Sequence, residues 1–152
     1  MYAIIRIRGV AKINHNIEYT MNNLKLTKKN HLVLYPEDNS IKGMLKKAEG
    51  YITWGEVDVE TTERLLKKRG LIKGDKKITE EFLKEIKVKN FKDLAERVQK
   101  GESLRNLGIK PVFRLNNPTK GFERKGIKKH FNEGGVLGYR GKKINELIRK
   151  MA

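Results

Sequence analysis

The sequence predicts an α+β fold, a β-α-β-α-β unit with both helices on one face of a small sheet. Three observations carry this. A period-two apolar run occurs at the N-terminus and short strand-like runs follow at "HLVLY" and "YITWGEV"; two stretches of helical apolar spacing separate those runs; and the connections are short. In "YAIIRIRG", Ala3, Ile5 and Ile7 fall on one face and Ile4, Arg6 and Arg8 on the other, which reads as a half-covered strand with a basic open face. Asn14 is placed to cap a helix whose Ile13, Ile17, Met21 and Leu24 form one apolar stripe. "HLVLY" is a strand stopped by Pro36. Asn39 or Ser40 can cap a second helix, with Ile41, Met44, Leu45 and Ala48 inward and Lys42, Lys46 and Lys47 outward, and Gly50 ends it. Ile5, Ile17, Met21, Leu34, Met44 and Leu45 are therefore expected in mutual contact. Gly43 sits mid-helix, where glycine costs roughly 0.5–1 kcal/mol relative to alanine. Either close packing on the sheet or the approach of a phosphate backbone would account for it.

Residues 58–110 change character to short helices with punctuation: from an Asp58 cap to Gly70, from a Thr79 cap, and from Asn90 to Gly101, with one more turn at "SLRNLG". The third segment, 111–152, opens with a fourth strand at Val112–Leu115. It passes through "GFERKGIKKHFNEGGVLGYRGKK" and closes on a helix with Ile144, Leu147, Ile148 and Met151 on one side.

Charge dominates the composition. The 152 residues carry 35 Lys and Arg against 18 Asp and Glu, a net +17 whose self-repulsion favours a polyanionic partner. Residues 1–57 hold 9 basic and 5 acidic side chains, residues 58–110 hold 15 and 10, and residues 111–152 hold 11 and 3, so the excess concentrates in the last quarter. A partnerless thermophile-like surface would balance lysine with glutamate more evenly. The chain has no cysteine, which excludes thiolate metal sites and Cys nucleophiles and suits a reducing cytosol. Its longest uncharged run, "NHLVLYP", is far short of the roughly 20 apolar residues of a membrane span, and no signal segment is expected.

Catalytic and cofactor patterns fail. A phosphate loop would need glycine where Val136 stands and Ser or Thr where Lys143 stands, and there is no G-x-G-x-x-G. His15, His31 and His130 lie outside any metal-binding spacing, so neither metal nor cofactor is expected. Residues 120–143 instead interleave Lys120, Arg124, Lys125, Lys128, Lys129, Arg140, Lys142 and Lys143 with Phe122, Phe131 and Tyr139. Glycine lets such a stretch follow an irregular groove, cations neutralise phosphate, and the aromatics either anchor the stretch or stack on bases. Structured RNA fits better than duplex DNA, since no basic recognition helix is present. A helix-turn-helix DNA-binding regulator, built on the helices of 58–89, is the alternative. Its connection is long and Glu80, Glu81 and Glu85 carry the wrong sign.

"NNLKLTKKNHLVLYPEDNSIKGMLKKAEGYITWGEV", "YITWGEVDVETTERLLKKRG", "FRLNNPTKGF" and "HFNEGGVLGYRGKKINELIRKM" occur in this order. Together they resemble the large-subunit ribosomal protein family numbered thirty in bacteria and archaea and seven in eukaryotes, in its longer archaeal form. The resemblance implies a ferredoxin-like core with an antiparallel sheet and no catalytic activity. It also implies a place in the cytoplasmic ribosome on 23S-type rRNA, monomeric among neighbouring large-subunit proteins, with 5S rRNA a further candidate partner. It puts rRNA contacts on the loop after the first strand (Lys12, His15), the start of the second helix (Lys42, Gly43, Lys46) and the C-terminal stretch. Arg8, Arg114 and His130 complete the candidates. The expected division is 1–57 as RNA-binding core, 58–110 as helical addition, and 111–152 as strand, basic loop and terminal helix packed on the core.

Overall fold

The central strand is β1 (Tyr2–Arg6), flanked antiparallel by β2 (His31–Tyr35) and β3 (Ile52–Glu56), so that Ala3 lies opposite Leu34 on one side and Gly55 on the other. This computed structural model describes all 152 residues. β4 (Val112–Arg114) adds antiparallel to β2, and β5 (Gly138–Tyr139) adds parallel to β3, giving the order β4-β2-β1-β3-β5. The α+β expectation is met. The first three strands are antiparallel neighbours, with α1 (His15–Asn23) and α2 (Asn39–Ala48) as their connections on one face. Asn14 caps α1 as expected, its side chain accepting from the Asn16 N–H at 2.9 Å. Asp38, rather than Asn39 or Ser40, takes the cap position of α2, and its side chain makes no capping bond.

The opposite face is covered too, and this overturns the half-covered first strand. Every residue of β1 is buried. Ala3, Ile5 and Ile7 pack into the larger apolar layer, whose other members come mostly from residues 57–151. Tyr2 and Ile4 pack into the smaller layer with Met21, Ile41 and Leu45 beneath α1 and α2. The six residues expected in mutual contact are therefore divided, Ile5 and Leu34 on one side of the sheet and Ile17, Met21, Met44 and Leu45 on the other. Alternation in sequence fixes which residues share a face, but not which face meets which helix.

Arg6 is the clearest case, expected on an open face yet only 1% exposed. A guanidinium is tolerated inside when most of its donors are bonded, and here only Nη2 is buried without a partner. Its Nε donates to the Arg8 carbonyl at 2.9 Å, and its Nη1 donates to those of Leu26 (2.7 Å) and Thr27 (2.9 Å), tying two loops to the end of β1. Burial lowers its pKa from the ordinary arginine value.

The larger layer is built by α3 (Val59–Arg69), α4 (Glu80–Glu85), α5 (Phe91–Gln99) and the terminal helix α6 (Ile144–Met151). Asp58, Thr79 and Asn90 cap the first three as their side chains predict. Leu65, Leu66, Leu94, Leu147 and Ile148 meet Ile5 and Phe113 in one cluster of 24 residues, so all three segments of the chain share it.

Candidate nucleic-acid interface

Because β1 runs opposite to β2 and β3, and β2 opposite to β4, one end of the sheet collects the end of β1, the starts of β2 and β3, and the end of β4. Three basic loops meet there: 8–14, 27–30 and the chain beyond Arg114. Backbone bonds join them, the Asn30 N–H to the Arg6 carbonyl at 2.8 Å and the Leu115 N–H to the Asn30 carbonyl at 3.1 Å. The Asn30 and Asn117 side chains add a bond of 2.9 Å. Arg8 donates to the Gly50 carbonyl at 3.1 Å, with its guanidinium 4.8 Å from the Tyr51 ring centre, and so links the first loop to the end of α2. Lys12 is exposed in a left-handed conformation (φ 53°), and His15 is exposed in the first turn of α1. Arg114 is exposed but shares Asp75 with Lys110, at 3.4 and 2.8 Å, and those two cations hold the Asp75 carboxyl below its usual range, the Lys110 hydrogen bond first.

Lys42, Gly43 and Lys46 are all exposed on α2. A Cβ on Gly43 would meet nothing within 4 Å, so close packing on the sheet does not explain the glycine. Lys46, near the end of α2, lies closer to the basic end of the sheet than Lys42 does.

The C-terminal stretch is neither a free tail nor a phosphate loop. The Val136 N–H donates to the Lys129 carbonyl, the Gly135 N–H to that of His130 and the Lys125 N–H to that of Gly134, which folds the stretch back on itself. Val136 and Leu137 are buried, and Phe122 and Ile127 pack against the larger layer. A Cβ on Gly135 would run into the Lys129 carbonyl, so only glycine fits that fold-back.

Arg140 holds this arrangement together, and the structure removes it from the expected RNA contacts. Its side chain is 1% exposed. The guanidinium donates to Glu123 at 2.7 Å, to the Val136 carbonyl at 2.8 Å and to Thr53 Oγ1 of β3 at 2.9 Å, and lies 4.6 Å from the centre of the Phe131 ring. No face of it is left for a phosphate. Phe131 is thus an anchor. Tyr139 is half-exposed beside Trp54, their ring centres 6.3 Å apart, and donates to Glu56 at 2.6 Å. That hydrogen bond is the main reason its phenol is pushed up to about 12.

With Arg140 inside, Lys120, Arg124, Lys125, Lys128 and Lys129 stay exposed. Of the nearby carboxylates, Glu123 pairs with Arg140 at 2.7 Å, Glu133 lies 3.9 Å from Lys129 and Glu49 faces His130 at 3.6 Å. Lys143 reaches back to the Phe131 ring at 5.7 Å. Lys142 stands apart. It lines a hollow with Glu56, Asp58 and Arg149 at the other end of the sheet, so it is not brought together with the rest.

Sequence reasoning missed Lys28 and Lys29, which the topology places at the basic end; "TKKN" before β2 was the signal available. His31 reports the local field. Burial first, then the positive charges of Arg114, Lys28 and Arg6, push its pKa below 6.5. No group of three or more His, Asp or Glu side chains is placed to hold a metal ion, and no helix is long and apolar enough to cross a membrane.

Residues 2–52 match the family described as Ribosomal protein L30p/L7e. The large ribosomal subunit protein uL30 of Nanoarchaeum equitans is 52% identical over 149 residues, covering 97% of this chain and 96% of the relative. The proteins of the same name from Methanococcus vannielii and Staphylothermus marinus are each 47% identical, covering 99% of this chain and 98% of the relative. The chain belongs to the L30p/L7e family. The matched span takes in β1, α1, β2 and α2, while the archaeal relatives extend through the basic stretch and α6. The helix-turn-helix alternative is not supported: α3 buries Leu65 and Leu66 while packing on α5, and α4 is a six-residue helix with Glu80, Glu81 and Glu85 exposed.

Proposed function

We propose that this L30p/L7e chain is a non-catalytic structural component of the large ribosomal subunit that binds and stabilises folded rRNA. In this reading residues 1–57 and 111–152 supply the RNA-facing side and 58–110 support it from behind the sheet. The partners are 23S-type rRNA, neighbouring large-subunit proteins and, as a further candidate, 5S rRNA, with one copy per particle. The observation that carries the proposal is the folded stretch 120–137, where Glu123 is taken up by the buried Arg140 and Glu133 lies near Lys129, while Lys120, Arg124, Lys125 and Lys128 face outward without a carboxylate partner. Pre-ordered cations lose less entropy on meeting phosphate than a tail would. Arg8, Lys12, His15, Lys42, Gly43, Lys46, Arg114, His130 and Lys143 are the remaining contacts proposed, joined by Lys28 and Lys29.

The test is binding to a large-subunit rRNA fragment across a salt series. Each neutralised phosphate should contribute a slope of roughly 0.7–0.9 in log affinity against log salt, so affinity falls by orders of magnitude from low to moderate salt. A flat response would show that the charge is merely a solvated surface. In cells, the protein should co-sediment with large subunits after a high-salt wash.

A further inference from the structure

Near the opposite end of β2 a cavity of about 440 Å³ is cut into the sheet edge. Leu34, Tyr35, Met1, Leu104 and Pro111 form its walls, Lys25 and Arg105 stand at it, and Glu102 is its one carboxylate. Even-numbered residues of β2 turn their N–H and C=O groups toward β4: the Asn30 carbonyl receives Leu115, and Leu32 sits opposite Phe113. By the same register Leu34 faces Pro111, which has no N–H to give, so the Leu34 carbonyl receives no bond from β4, while the Leu34 N–H is directed at the Pro111 carbonyl. The next residue along this edge is Pro36, again without an N–H. One acceptor, the Leu34 carbonyl, is thus left facing an apolar slot beside a half-buried tyrosine.

The possible occupants of such a slot differ in what they need. An added peptide strand gains affinity from a run of main-chain bonds. This edge supplies them at a single residue before proline ends it. A planar heterocycle bearing an amino group needs no more than one acceptor and a ring to lie against, and the volume falls within the usual range for small-ligand sites. The charges agree, two cations to one carboxylate. Lys25 also begins the loop that carries Lys28 and Lys29 onto the basic end of the sheet, so a polyanion held there has a continuous path to the cavity.

We propose that this cavity holds a single unstacked nucleotide of the bound RNA. The base enters against Tyr35 with its edge on the Leu34 backbone, and its phosphate lies toward Lys25 and Arg105. The proposal rests on the rRNA-binding reading above, but it concerns a different surface from the basic stretch.

The probes are the four ribonucleoside 5′-monophosphates, observed by saturation-transfer NMR on the full chain, and an unstructured RNA heptamer, observed by fluorescence anisotropy. Ser103 and Arg105 are exposed at the cavity, so Ser103→Trp fills it and Arg105→Ala removes its charge without opening the core. A nucleotide should contact the Leu34 and Leu104 methyls, and Ser103→Trp should weaken heptamer binding about fivefold, as loss of one stacked base would. Arg105→Ala should weaken it about threefold, with a smaller salt slope. Absence of nucleotide contact at those methyls would overturn the proposal, as would heptamer affinity unchanged in both variants. So would preferential occupation by an extended Val-Thr-Val-Thr-Val peptide. If the cavity is silent while the rRNA fragment still binds in a salt-dependent way, the cavity proposal alone fails. If nucleotides bind while Arg124→Ala, Lys125→Ala, Lys128→Ala and Lys129→Ala together leave rRNA affinity intact, only the assignment of the basic stretch fails.

Discussion

Residues 58–110 and residues 111–152 are both rich in cations, 15 and 11, yet they use them differently. In the first segment charge follows the helices. Glu60, Glu80, Glu81 and Asp93 occupy first turns, and Lys67, Lys68, Arg69, Lys84 and Arg97 occupy last turns, where each complements the helix dipole. In the second segment the densest cations lie on irregular backbone with no dipole to complement, and the buried Arg140 clip holds that backbone in place. A count of charges therefore does not locate an interface. What matters is whether secondary structure already explains the charge.

Arg140→Met tests this contrast most severely. Removing one member of a buried pair costs about 3–5 kcal/mol, and with Glu123 still 30% exposed an expected loss is about 2–4 kcal/mol, read by chemical denaturation. Hydrogen exchange over 121–137 should speed up. An unchanged midpoint would mean that the stretch is held without its clip. The sequence alone would have grouped Arg140 with its exposed neighbours and expected no effect on stability.

Next in size is the quadruple variant Arg124→Ala, Lys125→Ala, Lys128→Ala and Lys129→Ala. At about 1 kcal/mol per phosphate contact it should lose several kcal/mol of rRNA binding. Its melting temperature should hardly move, since like charges are being removed. Its counterpart in the helical segment, Lys67→Ala with Lys68→Ala, Lys84→Ala and Lys92→Ala, should weaken rRNA binding by less than about tenfold, through net charge only. Equal losses in the two variants would erase the distinction between the segments.

Gly43→Ala sharpens the comparison on α2. With open space around the glycine, alanine should stabilise the free protein by about 0.5–1 kcal/mol, measured as a rise in denaturation midpoint. If RNA backbone approaches α2 there, the same change should weaken rRNA binding. A gain in stability with no loss of affinity would take Gly43 out of the interface.

The smallest effect belongs to His31. Its folded pKa lies below its ordinary 6.5, so it favours the neutral form. The stability it contributes is therefore present above about pH 6.5 and is lost as pH falls through the folded pKa. RNA phosphates at the basic end would offset the positive field and move that pKa back up, which an NMR titration of the free and bound protein would detect. No upward movement on binding would place the RNA away from this end of the sheet.

Local signals carried most of the architecture. The caps at Asn14, Asp58, Thr79 and Asn90 are legible because a short polar side chain before an apolar helical period has few other uses. The two residues of β5 could not be found, since two residues hold no period, and Gly138 has a left-handed φ of 83° that offers no strand signal. Arg6 and Arg140 were misplaced for a common reason: an arginine in sequence reads as surface, and only the fold reveals carbonyls gathered around it. Lys28 and Lys29 became candidates only once the strand order brought their loop beside the others.

Trp54, the sole tryptophan, lies on β3 directly opposite Tyr139, the residue that fastens the end of the C-terminal stretch to the sheet. The protein therefore has a native optical reporter of that attachment. While β5 is docked, the phenol 6.3 Å away can pass its excitation to the indole, and the emission stays that of a half-buried ring. If the stretch detaches, during synthesis or in an Arg140 variant, tyrosine emission should recover and the tryptophan band should shift to the red. A stopped-flow trace at those two wavelengths would then time when the stretch closes onto the sheet relative to the collapse of the core, without any added label.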